Sequence, residues 1–182
     1  LEYRANKRAK FATLELTKSI DHVADRFKVL VKGKDKAGEF YRKSFSALFA
    51  YVSNRIPEIT DDLYKIDDAM KAGFGWEHGP FQIWDAIGVQ KGIEMMQAEG
   101  LKPADWVADM LNSGSDSFYS IKDGASYFYN ISNKTQEKIP GQDSFIILDN
   151  IRKTTEVFKN SGVSVQDLGD GILNVEFSSK IN

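Results

Sequence analysis

Apolar side chains recur every three or four positions over most of the first 113 residues. Between about Arg4 and Lys32 they fall at Phe11, Leu14, Ile20, Val23, Phe27 and Leu30, the period of one long amphipathic helix that Gly33 ends. A second helix is predicted from Asp35 through Phe40, Phe45, Leu48, Phe49 and Val52 towards Ile56, where Pro57 forbids ordinary continuation. Ile59, Leu63, Ile66 and Met70 mark a third helix over 58–71, acidic on its other face and stopped at Gly73 and Gly75. Phe81 to Val89 and then Ile93, Met95 and Met96 read as one or two helices ended by Gly100. Pro103, placed at a first helical position, opens another that carries Trp106, Val107, Met110 and Leu111.

The pattern changes at Ser113-Gly114-Ser115. Phe118 to Ile121 and Ser126 to Ile131 flank Asp123-Gly124 and predict a β-hairpin. Val163 to Leu168 and Ile172 to Phe177 around Gly169-Asp170-Gly171 predict a second. Phe145 to Leu148 is too short for its period to separate strand from helix start. The expected fold is therefore mainly α, a helical bundle with a β-hairpin-containing C-terminal tail. The domain division expected is 1–113 helical, 114–160 a β-rich connector and 161–182 a separate first hairpin.

Composition narrows the function. The chain has 182 residues, 42% hydrophobic and 27% charged, the balance of a globular protein. No run approaches the ~18 apolar residues of a membrane span, and a cytoplasmic location is expected. With no cysteine, thiolate nucleophiles and Cys-ligated zinc are excluded. The formal charge of -2 argues against nucleic acid as a partner. Residues 1–40 are nonetheless basic, ten Lys/Arg against six Asp/Glu, and residues 56–116 acidic, four against twelve.

Catalytic motifs are missing. The nearest approach to a dinucleotide fingerprint, Gly73-Phe74-Gly75-Trp76-Glu77-His78-Gly79, has the wrong spacing and follows a helix rather than a strand. His22 reads as a surface residue. His78, beside Glu77, has the residue types of an acid–base pair, yet adjacent side chains on a turn usually diverge. Asp61-Asp62 and Asp67-Asp68 could hold a hard cation. They are more simply explained by a first helical turn, where the dipole favours negative charge, and by a solvent face. No metal site and no catalytic residue is assigned.

The most informative stretch runs from Ile66 to Val89: Asp67-Asp68-Ala69-Met70, then Gly79-Pro80-Phe81, then Asp85-Ala86-Ile87-Gly88. It closely resembles the C-terminal helical domain of the 3-hydroxyacyl-CoA dehydrogenase family, whose pattern is Asp-x-Ala-Met-x-x-Gly, Gly-Pro-Phe and Asp-x-x-Gly. Ser53-Asn54-Arg55 resembles that family's Asn-Arg pair, whose Asn lies near the acyl-CoA substrate, so the resemblance makes Asn54 the substrate-binding residue expected here. Twelve residues separate Asn54 from Asp67, fewer than in single-domain relatives, which resembles the degenerate second helical copy of multifunctional β-oxidation proteins. Val165 to Phe177 looks like the first hairpin of an enoyl-CoA hydratase (crotonase-like) domain.

The resemblance implies a piece of a larger NAD-dependent 3-hydroxyacyl-CoA dehydrogenase of fatty acid β-oxidation. NAD, with its binding domain, and the enoyl-CoA hydratase domain would then be supplied by the rest of the parent, with no cofactor in this piece. By itself the piece is expected to be inactive, contributing to the substrate cleft, to interdomain packing or to a homodimer. Two other readings are a stand-alone helical interaction module and an acyl-CoA-binding domain in which Lys32, Lys34 and Lys36 matter.

Overall fold

The computed structural model describes residues 9–152 and 154–178. Two compact units emerge. The first comprises the described residues up to Tyr119 together with Phe128–Gln136, and the second Ser120–Tyr127 together with the described residues from Glu137 on.

Among the described residues seven helices precede the first strand. The long helix expected from about Arg4 to Lys32 is broken into α1 (Ala12–Thr17) and α2 (Val23–Lys32), and the part of it before residue 9 lies outside those described. Thr17 and Ser19 explain the break: their hydroxyls donate to the carbonyls of Leu14 and Leu16, competing with helical bonding. Asp35 then caps α3 (Lys36–Asn54), accepting from Gly38 N at 3.0 Å, and the same carboxylate accepts from the backbone N and hydroxyl of Thr13. These bonds hold Asp35 down to about 2. α4 (Leu63–Phe74) stops where Gly75 turns left-handed at φ 66°, a conformation glycine adopts without strain.

Pro80 occupies the first turn of α5 (Pro80–Ile87), and Gly88 alone separates it from α6 (Val89–Ala98). α7 (Asp105–Asn112) begins two residues later than the Pro103 start predicted from sequence. Ser53 keeps the preceding turn extended, since its Oγ accepts from Ala104 N and its carbonyl from the Trp106 indole.

The core of this unit is aromatic. Phe49 stacks on Trp84 with centroids 4.8 Å apart, Phe45 stacks on Phe49 at 5.9 Å, and Phe118 meets Trp84 edge-on at 4.9 Å. Phe49, Phe81, Trp84 and Phe118 are all fully buried. Gly92 of α6 lies against the Trp84 indole, and a Cβ there would come within 2.1 Å of Nε1, the atom that donates to Val89 O. Gly92→Ala is expected to displace the indole at a cost of about 1–3 kcal/mol. A thermal midpoint equal to that of the parent chain would show that the ring moves freely.

The expectation of a mainly α bundle is corrected by the strands. Among the described residues 47% are helical and 18% strand, with two three-stranded antiparallel sheets. Each predicted hairpin, β1–β2 (Tyr119–Lys122, Ala125–Asn130) and β5–β6 (Val163–Gly169, Ile172–Phe177), gains a third strand, β3 (Thr135–Lys138) and β4 (Glu156–Lys159). Both additions are four-residue edge strands too short to show an alternation. In the second unit β5 lies centrally and a short helix, α8 (Leu148–Ile151), precedes β4. Phe145 to Ile147 is extended loop, and Leu148 starts α8. Among the described residues no helix is long and apolar enough to cross a membrane.

Candidate functional site

The family-like motif is a packing device centred on Asp67. Four residues after Leu63, which is fully buried, Asp67 points to the same side of α4 and is itself 1% exposed. Its carboxylate accepts from Phe81 N and Gln82 N, both at 2.9 Å, at the open N-terminus of α5, and from the Tyr119 hydroxyl at 2.9 Å. Gly79 allows this approach, because a Cβ there would lie 2.3 Å from Asp67 Cα. Asp67 is thus not on the solvent face that the sequence predicts for it and Asp68. Asp68 is exposed and paired with Lys71, whereas Asp67 is an internal cap.

Asp85, one turn after Phe81, performs the same service for the start of β1. Its two oxygens accept from Phe118 N and Tyr119 N, each at 2.8 Å. Burial pushes Asp85 up to about 7, helped by the nearby Asp67 and Asp116 carboxylates and opposed by the two backbone donors. Burial likewise pushes Asp67 up to about 6 against its three donors, and burial raises the Tyr119 phenol well above its ordinary range. Two carboxyls poised near neutrality beside a tyrosine have the chemistry of an acid–base site. Each is consumed in holding backbone, so their arrangement is structural.

An open groove of about 720 Å³ runs between the end of α3 and α4. Val52, Ile66, Ala69 and Met70 are among its lining residues, and Tyr51 and Ile59, 62% and 66% exposed, stand at it. Its two cations are already matched: Arg55 pairs with Glu58 and Lys65 with Asp62. The groove is thus apolar with a nearly neutral lip.

Asn54, the last residue of α3, is exposed, and its amide donates to Ala50 O at 2.8 Å. It is not among the residues lining the groove. His22 is exposed just before α2, and the His78 ring packs edge-on against Phe27 at 5.8 Å. Asp61, Asp62, Asp67 and Asp68 do not converge, and among the described residues no group of three or more His, Cys, Asp or Glu is arranged to hold a metal. The buried carboxylates were missed in the sequence. The helical spacings Leu63–Asp67 and Phe81–Asp85 were the available signal.

By sequence the chain is similar to proteins named for 3-hydroxyacyl-CoA dehydrogenase and for fatty acid oxidation, in agreement with the resemblance that Asp67 to Gly88 carries. It is 34% identical, over 183 aligned positions that take in 100% of this chain, to a Bacillus subtilis (strain 168) protein named "Probable 3-hydroxyacyl-CoA dehydrogenase". The chain spans 23% of that relative's length. Shorter matches reach two Rickettsia proteins named "Putative fatty acid oxidation complex trifunctional enzyme". The R. felis protein is 35% identical over 46 residues, 25% of this chain and 6% of that one, and the R. prowazekii protein 30% over 59 residues, 32% and 8%. No family model and no solved structure matches the chain.

Proposed function

We propose that this chain is part of an NAD-dependent 3-hydroxyacyl-CoA dehydrogenase acting in the cytoplasm on fatty acyl-CoA, and that its own share is architectural. The observation that carries this reading is the match along the whole chain to part of the B. subtilis relative. The described residues do not fit a dinucleotide site: Gly73 lies in the last turn of α4, Gly75 ends that helix, and Gly79 is packed on Asp67. Hydride transfer is therefore assigned to polypeptide beyond these residues, and this chain supplies apolar surface, the α3–α4 groove above all, against which that polypeptide packs.

NADH formation from a 3-hydroxyacyl-CoA tests it. The 182-residue chain should give none, and the complete product of its gene should turn over; a complete product without activity would end the dehydrogenase reading.

A second reading has a specific observation in its favour. An apolar trough of this volume suits an acyl chain, so the chain would bind acyl-CoA without catalysis. Asn54 would then stand one turn from Tyr51, and the exposed Lys32, Lys34 and Lys36 would offer charge to the CoA phosphates. Calorimetry with acyl-CoA separates the two, since heat saturating at one equivalent, and weakened by Tyr51→Ala, supports binding.

A further inference from the structure

We infer that the sheet β4–β5–β6 is half of a hydrophobic core whose other half is further polypeptide of the same protein; this rests on the reading that the chain is part of a longer enzyme. The pairing register sorts the sheet into two faces. Phe158, Val165 and Val175 lie opposite one another across the three strands, and Val163 pairs with Phe177 and Asp167 with Leu173 on the same side. The other rows carry Glu156, Gln166 and Asn174, a register shift in β4 between Glu156 and Phe158 setting Glu156 apart from the apolar row, and then Lys159, Ser164 and Glu176.

Antiparallel sheets that face water on one side bury their apolar face and leave the polar one wet. This sheet does the reverse. Gln166 is 1% exposed, bonded to Ser164 and Asn174, and Glu176 takes a two-pronged contact from Arg152 at the end of α8. On the other side Phe158, Leu173, Val175 and Phe177 are between 49% and 79% exposed. Asp167 is the one charged side chain in those apolar rows, so the occupant is apolar rather than complementary in charge.

Area selects the occupant. Three short strands at about 4.8 Å spacing and 3.4 Å rise present roughly 300 Å² on one face. A stable interface between separate molecules takes about 800 Å² per partner, so a second copy docking on this face alone falls short. Polypeptide linked in the same chain needs no such area, because the link supplies a high effective concentration. The B. subtilis relative, of which this chain spans 23%, has length to provide it.

The 182-residue chain has no cysteine, so an introduced thiol is the one labelled in it, and in the complete product the labelled site is identified by its peptide. Phe158→Cys and Val175→Cys, both at exposed positions, are made singly in the 182-residue chain and in the complete gene product, with Lys102→Cys as the exposed reference. Maleimide labelling is followed by peptide mass spectrometry. Rates at 158 and 175 should match the reference in the short chain, independent of its concentration, and fall at least about tenfold below it in the complete product. Equal rates in both proteins, or a gene product no longer than this chain, would overturn the inference. So would protection in the short chain that grows with concentration alongside a doubled sedimentation mass, which would make a second copy the occupant. The NADH assay is scored separately: protection without turnover sinks the dehydrogenase reading and leaves the covered face, and turnover without protection does the opposite.

Discussion

Asp67→Ala is expected to lower the stability of the helical unit by about 3–5 kcal/mol, because it strands three buried donors at once. Two of them are the first free N–H groups of α5, which no other side chain caps by hydrogen bond, and the third is the hydroxyl that ties Tyr119 to α4. Burial disfavours the charge on Asp67 but not the oxygens, so Asp67→Asn, which keeps one acceptor, should lose markedly less. Urea midpoints for the two variants decide the matter. Equal losses would mean that charge, not acceptor count, is what α5 requires, and a loss under 1 kcal/mol for alanine would show that water replaces the carboxylate.

The second large effect is on pH. Asp85 and Asp67 are raised in the folded chain to about 7 and about 6, above the ordinary carboxyl value of 3.8. The folded state therefore holds their protons more tightly, and the resulting stability is complete below about pH 4 and lost as pH rises through 6 and then 7. The total swing is on the order of 7 kcal/mol, of which about 4 kcal/mol falls between pH 5 and pH 8. Asp35 works in the opposite sense, since its lowered value contributes stability that fades only as pH falls from about 4 towards 2. Unfolding between pH 5 and pH 8 should thus become easier with rising pH, and Asp85→Asn should remove the larger part of that slope even though it costs stability at every pH. A slope unchanged in the variant would place the titrating group elsewhere.

The helical period carried most of the first unit into view. Phe45, Phe49 and Val52 on α3 and Val107 and Met110 on α7, all apolar in sequence, are core residues, and Gly75 and Pro80 fall where a helix stops and another starts. Asp67 was hidden by its neighbours: in a run with Asp61, Asp62 and Asp68 a carboxylate looks solvated, and its need for burial arises from Phe81, Gln82 and Tyr119, up to 52 residues away. The break at Lys18 was hidden because hydroxyl-to-carbonyl bonding in Thr17 and Ser19 leaves apolar spacing untouched. β3 and β4 were hidden because an edge strand of four residues takes its identity from the strand beside it. The motif itself was legible as kinship, and its physical content, a buried carboxylate joining two helices and a strand, became visible only with the fold.

The aromatic ladder through Phe45, Phe49 and Trp84 gives the helical unit an optical identity. Trp84 lies nearly parallel to Phe49, at 7°, in a water-free setting, whereas Trp76 on the α4–α5 turn is 37% exposed. One indole is thus a blue-emitting chromophore asymmetrically coupled to a neighbouring ring, and another is open to solvent quenchers. Loss of the packed core and movement of the turn therefore carry different spectral signatures within one cysteine-free chain.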